Sequence, residues 1–104
     1  MTEITDDVAH NRLVISADAG DEAELLYRRE GDRLYLVHTE VPSAFRGQGT
    51  GGHLVSAALD LARRNDLTVV PWCPFARRWL REHPDAAAGV AIDWSTPPPA
   101  QSHD

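Results

Sequence analysis

A chain of 104 residues with a net charge of −6, 42% hydrophobic and 25% charged, has room for one core and the composition of an ordinary soluble globular domain. All ten basic residues are arginine; seven fall between residues 33 and 83 against four acids, while both flanks are acidic. That pattern is poor for nucleic acid, no apolar run approaches a membrane span, and a single cysteine excludes an internal disulfide.

Met1-Thr2-Glu3 is neither basic nor followed by a signal-like apolar core, which together with the lone cysteine sets an expectation of a cytoplasmic protein. Arg12 to Ala17 alternates weakly and predicts a strand. Asp18-Ala19-Gly20-Asp21 reads as a turn, and Ala23 to Arg29 as a second strand. Glu30-Gly31-Asp32 signals a hairpin into a third strand, Arg33 to Val41, which is either one long strand or two joined at a bulge. Along it, His38 alternates with Leu36 and Glu40 on one strand face, and Tyr35, Val37, Thr39 and Val41 share the other. A helix follows from about Gly51 to Arg64, with Leu54, Ala58, Leu61 and Ala62 on one stripe widened by Val55 and Leu59. Leu67 to Pro71 is a short apolar strand suited to a buried parallel position. Pro74 to His83 predicts a second helix, with Pro74 pre-set for its first turn and Pro84 just beyond its end. The expectation is an α+β (α/β) fold over residues 1–94, with a mixed antiparallel and parallel sheet, about two helices and a disordered tail over residues 95–104 that contains Pro97-Pro98-Pro99.

The richest segment joins the third strand to the first helix. After Val41-Pro42 comes a turn with Gly47, Gly49, Gly51 and Gly52, opening directly into the helix. Such a strand–turn–helix junction points free backbone N–H groups and the positive end of a helix dipole at one spot, so phosphate or pyrophosphate is the expected guest. A nucleotide-hydrolysing loop needs a lysine, and this chain has none. A dinucleotide fingerprint needs Gly-x-Gly-x-x-Gly, but in Gly47-Gln48-Gly49-Thr50-Gly51 the third glycine comes one residue early. A glycine-rich turn that only links strand to helix stays open at this point.

Arg46-Gly47-Gln48-Gly49-Thr50-Gly51 resembles the pyrophosphate loop of the GCN5-related N-acetyltransferase family, whose members bind acetyl-coenzyme A. Its surroundings resemble a subfamily of minimal single-domain acetyltransferases, which share a His38-Thr39-Glu40-Val41-Pro42 strand end, this loop, a Val69-Val70-Pro71-Trp72-Cys73-Pro74-Phe75 stretch and an Arg81-Glu82-His83-Pro84 helix end. The resemblance covers roughly residues 10–90 and implies a truncated acyl-coenzyme A N-acyltransferase fold. Larger relatives place helices between their first two strands that wall the acceptor pocket, and the short connection here leaves no room for them.

Cys73 follows a buried strand and precedes Pro74, near the N-cap of the last helix, where a thiol feels the positive end of the dipole. A free cysteine that merely fills space is the competing reading. Histidine can take a proton from an amine near neutral pH, so His38 is either a general base or a structural residue on a sheet. The resemblance implies that His38 and Cys73 both face the reactive end of the cofactor and that Glu40 acts through water, although Glu40 also suits a solvated rim. Arg46 is the arginine best placed for a phosphate, whereas Phe75 and Trp79, one helical turn apart, read as core. A zinc site of the type His-x-Glu with Pro-Cys-x-x-Cys fails, because Trp72 separates Pro71 from Cys73 and position 76 is alanine, so no metal is expected. A thiol hydrolase built on the Cys–His pair lacks an orienting third residue.

The resemblance implies an N-acetyltransferase that moves acetyl from acetyl-coenzyme A to an amine of unknown identity. Cys73, His38 and Glu40 are the expected catalytic residues. Thr39, Val41, Arg46, Gly47, Gln48, Gly49, Thr50, Gly51 and Gly52 are the expected coenzyme A contacts. The alternative is a coenzyme A-binding regulatory or scaffolding module with little or no catalysis. A monomer acting without nucleic acid or membrane is expected in either case.

Overall fold

The computed structural model describes residues 4–17 and 20–98. Five strands form one sheet in the order β1 (Ile4–Asp7), β2 (Arg12–Ser16), β3 (Glu22–Glu30), β4 (Arg33–Glu40) and β5 (Thr68–Pro71). The first three pairings are antiparallel and the last is parallel. Helix α1 (Thr50–Asn65) makes the crossover from β4 to β5, and α2 (Pro74–Glu82) follows β5. The mixed sheet and two helices match the expected class.

Strands β2 to β4 form where apolar residues recur at every second position, and β5 where the run is almost continuously apolar. Leu13 and Ile15 of β2, Leu25 and Tyr27 of β3, Leu34 and Leu36 of β4 and Val69 of β5 join one core with Leu54, Val55, Ala58 and Leu59 of α1 and Ala76 and Leu80 of α2. Gly31 takes φ +60° in the two-residue β3–β4 hairpin, a conformation L side chains avoid. Helix α1 stops where Asp66 turns left-handed, its N–H and that of Leu67 both donating to the Ala62 carbonyl, with Arg63 and Arg64 complementing the dipole in the last turn. Among the described residues no helix is long and apolar enough to cross a membrane.

Two regions differ from expectation. Strand β1 was not anticipated, because Ile4-Thr5-Asp6-Asp7 contains one apolar residue. It is held instead by polar partners: Tyr27 donates to Asp6 Oδ1 at 2.6 Å and Arg12 Nε to Asp7 Oδ2 at 3.0 Å. Burial, reinforced by the bond to Asp6, pushes the Tyr27 phenol well above its ordinary value, and bonds from His10 and Arg12 hold the Asp7 carboxyl down. The segment after α2 is also ordered at the point where a tail was expected to begin. Ile92 bridges to Val69, the Asp93 carboxylate accepts the Ser95 and Thr96 hydroxyls and amides, and the Trp72 indole donates to the Thr96 carbonyl at 3.1 Å. The Thr96 hydroxyl, Arg33 and the Ser95 amide hold the Asp93 carboxyl far below the usual range. The rest of the expected tail, residues 99–104, and the turn positions Asp18 and Ala19 lie outside the described residues.

Candidate functional site

The β3–β4 register pairs Glu24 with Glu40, Leu25 with Thr39 and Leu26 with His38, then slips so that Tyr27 meets Leu36. Val37 is thus an extra residue in β4, a β-bulge. One added residue in a period of two exchanges the faces beyond it. Thr39 therefore lies on the core face with Leu34 and Leu36, while His38 and Glu40 turn to the other. A uniform alternation, which grouped Leu36 with His38 and Glu40, is corrected by this bulge. On its other edge, β4 pairs with β5 only as far as Leu36↔Pro71, where the Leu36 carbonyl accepts the N–H groups of both Trp72 (3.0 Å) and Cys73 (2.8 Å). Strand β4 runs on to Glu40, so the two strands part here.

A groove of about 490 Å³ begins at this parting and runs under the glycine turn. Thr39 and Val41 line the strand end; Arg46, Gly47, Gly49, Thr50, Gly51 and Gly52 line the loop; Phe45, Phe75 and Trp79 supply an apolar wall. Eight of the nine expected coenzyme A contacts are thereby brought to one surface. Gln48 is the exception. Its amide donates to the Phe45 carbonyl at 3.2 Å and its side chain folds back on the Ala44 carbonyl, so it closes the turn. Phe75 and Trp79 were expected in the core; they border the groove because the facing residues of α1 are Gly51 and Gly52.

The loop amides are the main electrostatic feature. Among the described residues, the N–H groups of Gly47, Gly49, Thr50, Gly51 and Gly52 have no protein acceptor, and the first intrahelical bond runs from the His53 amide to the Gly49 carbonyl at 3.0 Å. Gly49 is the N-cap of α1, at φ +68° and ψ 23°. Unfilled donors at the start of a helix of this length form a site of positive potential. Arg46 stands exposed at its edge, with no acidic partner among the described residues.

The expected catalytic residues divide between two surfaces. Cys73 caps α2, is buried, and places Sγ 3.3 Å from Thr39 Oγ1. His38 and Glu40 face each other across 3.0 Å on the opposite side of β4, with side chains 55% and 64% exposed. The residue that meets the thiol is thus Thr39 rather than His38.

Known proteins share this sequence pattern and fold. A family model described as GCN5-related N-acetyl-transferase matches residues 12–89, which includes the bulged strand, the loop and α2. The chain belongs to this family. Within it, the chain is 43% identical over 65 residues to Protein NATD1 of Gallus gallus and of Homo sapiens. That stretch is 62% of this chain and 59% and 58% of those proteins, so the chain spans less than two thirds of their length. A solution structure of a GCN5-like candidate N-acetyltransferase from Staphylococcus aureus superposes with a TM-score of 0.68 at 26% identity, covering 89% of this chain and 91% of its own. Family membership accounts for the fold, and the likeness extends over both helices and the parting strands.

Proposed function

We propose that this protein is a small N-acetyltransferase that binds acetyl-coenzyme A in the loop groove and transfers the acetyl group to an amine. The observation that carries this reading is the run of acceptor-free amides at the start of α1, beside Arg46, in a groove that leads to the parting of β4 and β5. The pyrophosphate sits on the amides of Gly47 and Gly49 to Gly52, and Arg46 adds a diffuse counter-charge. The pantetheine arm lies along β4 at Thr39 and Val41, against Phe75 and Trp79. A backbone N–H at this strand end polarises the thioester carbonyl, which favours the charge that develops on oxygen as the amine attacks. The amine approaches the parting of β4 and β5 from the face opposite the groove, where His38, paired with Glu40, takes the proton it loses.

Coenzyme A alone should raise the melting temperature, since a ligand selective for the folded state stabilises it by mass action. No shift and no heat of binding would refute the reading. A second reading, coenzyme A binding with little or no catalysis, is favoured by one observation: only residues 17–21 connect β2 to β3, so no helices wall an acceptor there. An amine panel followed by released thiol separates the two, and transfer to any amine above the hydrolytic background excludes the second.

A further inference from the structure

We propose that the Thr39 hydroxyl is the group that protonates the departing coenzyme A thiolate, with Cys73 acting through it as a positioning residue and proton source. The inference rests on the acetyltransferase reading above and adds to it the fate of the leaving group. Three observations converge on Thr39. The bulge at Val37 turns this side chain, and not that of His38, toward the core face of β4. Thr39 lines the groove at the point where β4 and β5 part, whereas Cys73 is not among the groove's lining residues. Thr39 Oγ1 and Cys73 Sγ are 3.3 Å apart, and either can donate to the other. A hydroxyl that faces the groove and is bonded to a buried thiol forms a two-link proton path.

In the transfer step the acceptor nitrogen bonds to the acetyl carbon, the C–S bond breaks, and its electron pair goes to the coenzyme A sulfur. That sulfur takes the Thr39 hydroxyl proton while Thr39 Oγ1 takes the Cys73 thiol proton. The proton that the acceptor nitrogen sheds goes to His38 and on to solvent, and Cys73, left as thiolate, recovers a proton from solvent by the reverse path through Thr39 once the products leave. The net movement is from one sulfur to another, and no acetyl-cysteine forms.

The test uses the full chain, with acetyl-coenzyme A turnover read as released thiol, using the fastest amine of the panel or water where no amine is faster. Coenzyme A affinity is read in parallel by calorimetry. Thr39→Val keeps the shape and removes the hydroxyl; kcat should fall by about 100-fold or more, in the range of a lost general acid, while coenzyme A affinity stays within about twofold. Thr39→Ser should restore most of kcat. Cys73→Ala should slow the wild type but add nothing to Thr39→Val, since the two act in series. Full turnover in Thr39→Val, additive losses in the double variant, or an acetyl adduct on Cys73 by mass spectrometry would overturn the inference while leaving the acetyltransferase reading intact. A wild type that does not bind coenzyme A overturns both.

Discussion

Two pairs of glycines in one loop face opposite demands. Gly47 and Gly49 sit at φ +78° and +68°, and a Cβ on either would meet nothing within 4 Å. Gly51 and Gly52 have ordinary helical backbone, but a Cβ on Gly51 would lie 2.6 Å from Phe75 Cζ and one on Gly52 would lie 2.5 Å from Trp79 Nε1. The first pair is glycine for the backbone's sake and the second for its neighbours'. One sequence motif thus joins a conformational device, which frees the amides, to a packing device, which lets α2 close over the start of α1. The groove exists because both operate within six residues.

The largest effect should come from the packing pair. Gly52→Ala gains at most about 1 kcal/mol of helix propensity, and less in a first turn. Overpacking against Trp79 costs roughly 1–3 kcal/mol. The clash wins, and a net loss of roughly 1–2 kcal/mol corresponds to a fall in melting temperature of roughly 4–16 °C in a domain this size. Gly51→Ala can escape by swinging Phe75 into the groove, so its stability loss should be smaller and its coenzyme A affinity worse. A scan of both variants with and without coenzyme A reads the two quantities separately. If Gly51→Ala and Gly52→Ala melt like the wild type, the packing half of the comparison is wrong.

The conformational pair should respond differently. At Gly49, alanine pays roughly 1–2 kcal/mol for the left-handed backbone and meets no protein atom. Asparagine tolerates that region far better, so Gly49→Asn should recover most of the stability that Gly49→Ala loses. Neither should recover coenzyme A affinity if the phosphates follow the proposed path, because the side chain would then occupy it. Stability that follows side-chain size rather than left-handed preference would erase the distinction between the two pairs.

This division was only half legible in the sequence. The glycines and their place between strand and helix could be read, as could four of the five strands, because half-buried strands alternate, β5 is a short apolar run, and glycine and proline mark their ends. Strand β1 could not, since its hold on the sheet is a Tyr27–Asp6 bond and an Arg12–Asp7 pair rather than an apolar pattern. The roles of Phe75 and Trp79 were hidden for a related reason. Helical spacing correctly marks both as packed, but the surface they pack on is two glycines without side chains, which leaves the rest of each ring beside the groove. The bulge at Val37 was the costliest ambiguity. His38 and Thr39 both suit either face of a strand, so the pattern alone allowed one long strand or two and could not say which residue meets Cys73. Asp93 gave no signal either, although it anchors Ser95 and Thr96 through four hydrogen bonds.

The smallest effect on the fold should come from Arg46, and it isolates electrostatics from both kinds of glycine. Its side chain is exposed and without an acidic partner among the described residues, so Arg46→Ala should leave the melting temperature within the scatter of surface substitutions, about 0.5 kcal/mol. Against coenzyme A it should cost measurable affinity, because a guanidinium beside the amide cluster adds to the same field. A phosphate-free pantetheine fragment should be nearly indifferent to the change. Raising the ionic strength toward about 1 M, where the Debye length shrinks to about 3 Å, should narrow the gap between wild type and variant for coenzyme A and leave the fragment unchanged. If both ligands weaken equally, Arg46 acts by shaping the turn that Gly47 and Gly49 also shape, and the loop has no electrostatic component separable from its conformation. If only coenzyme A weakens, the loop holds its anion by two additive means: fixed amides that the glycines expose, and one mobile charge at the rim.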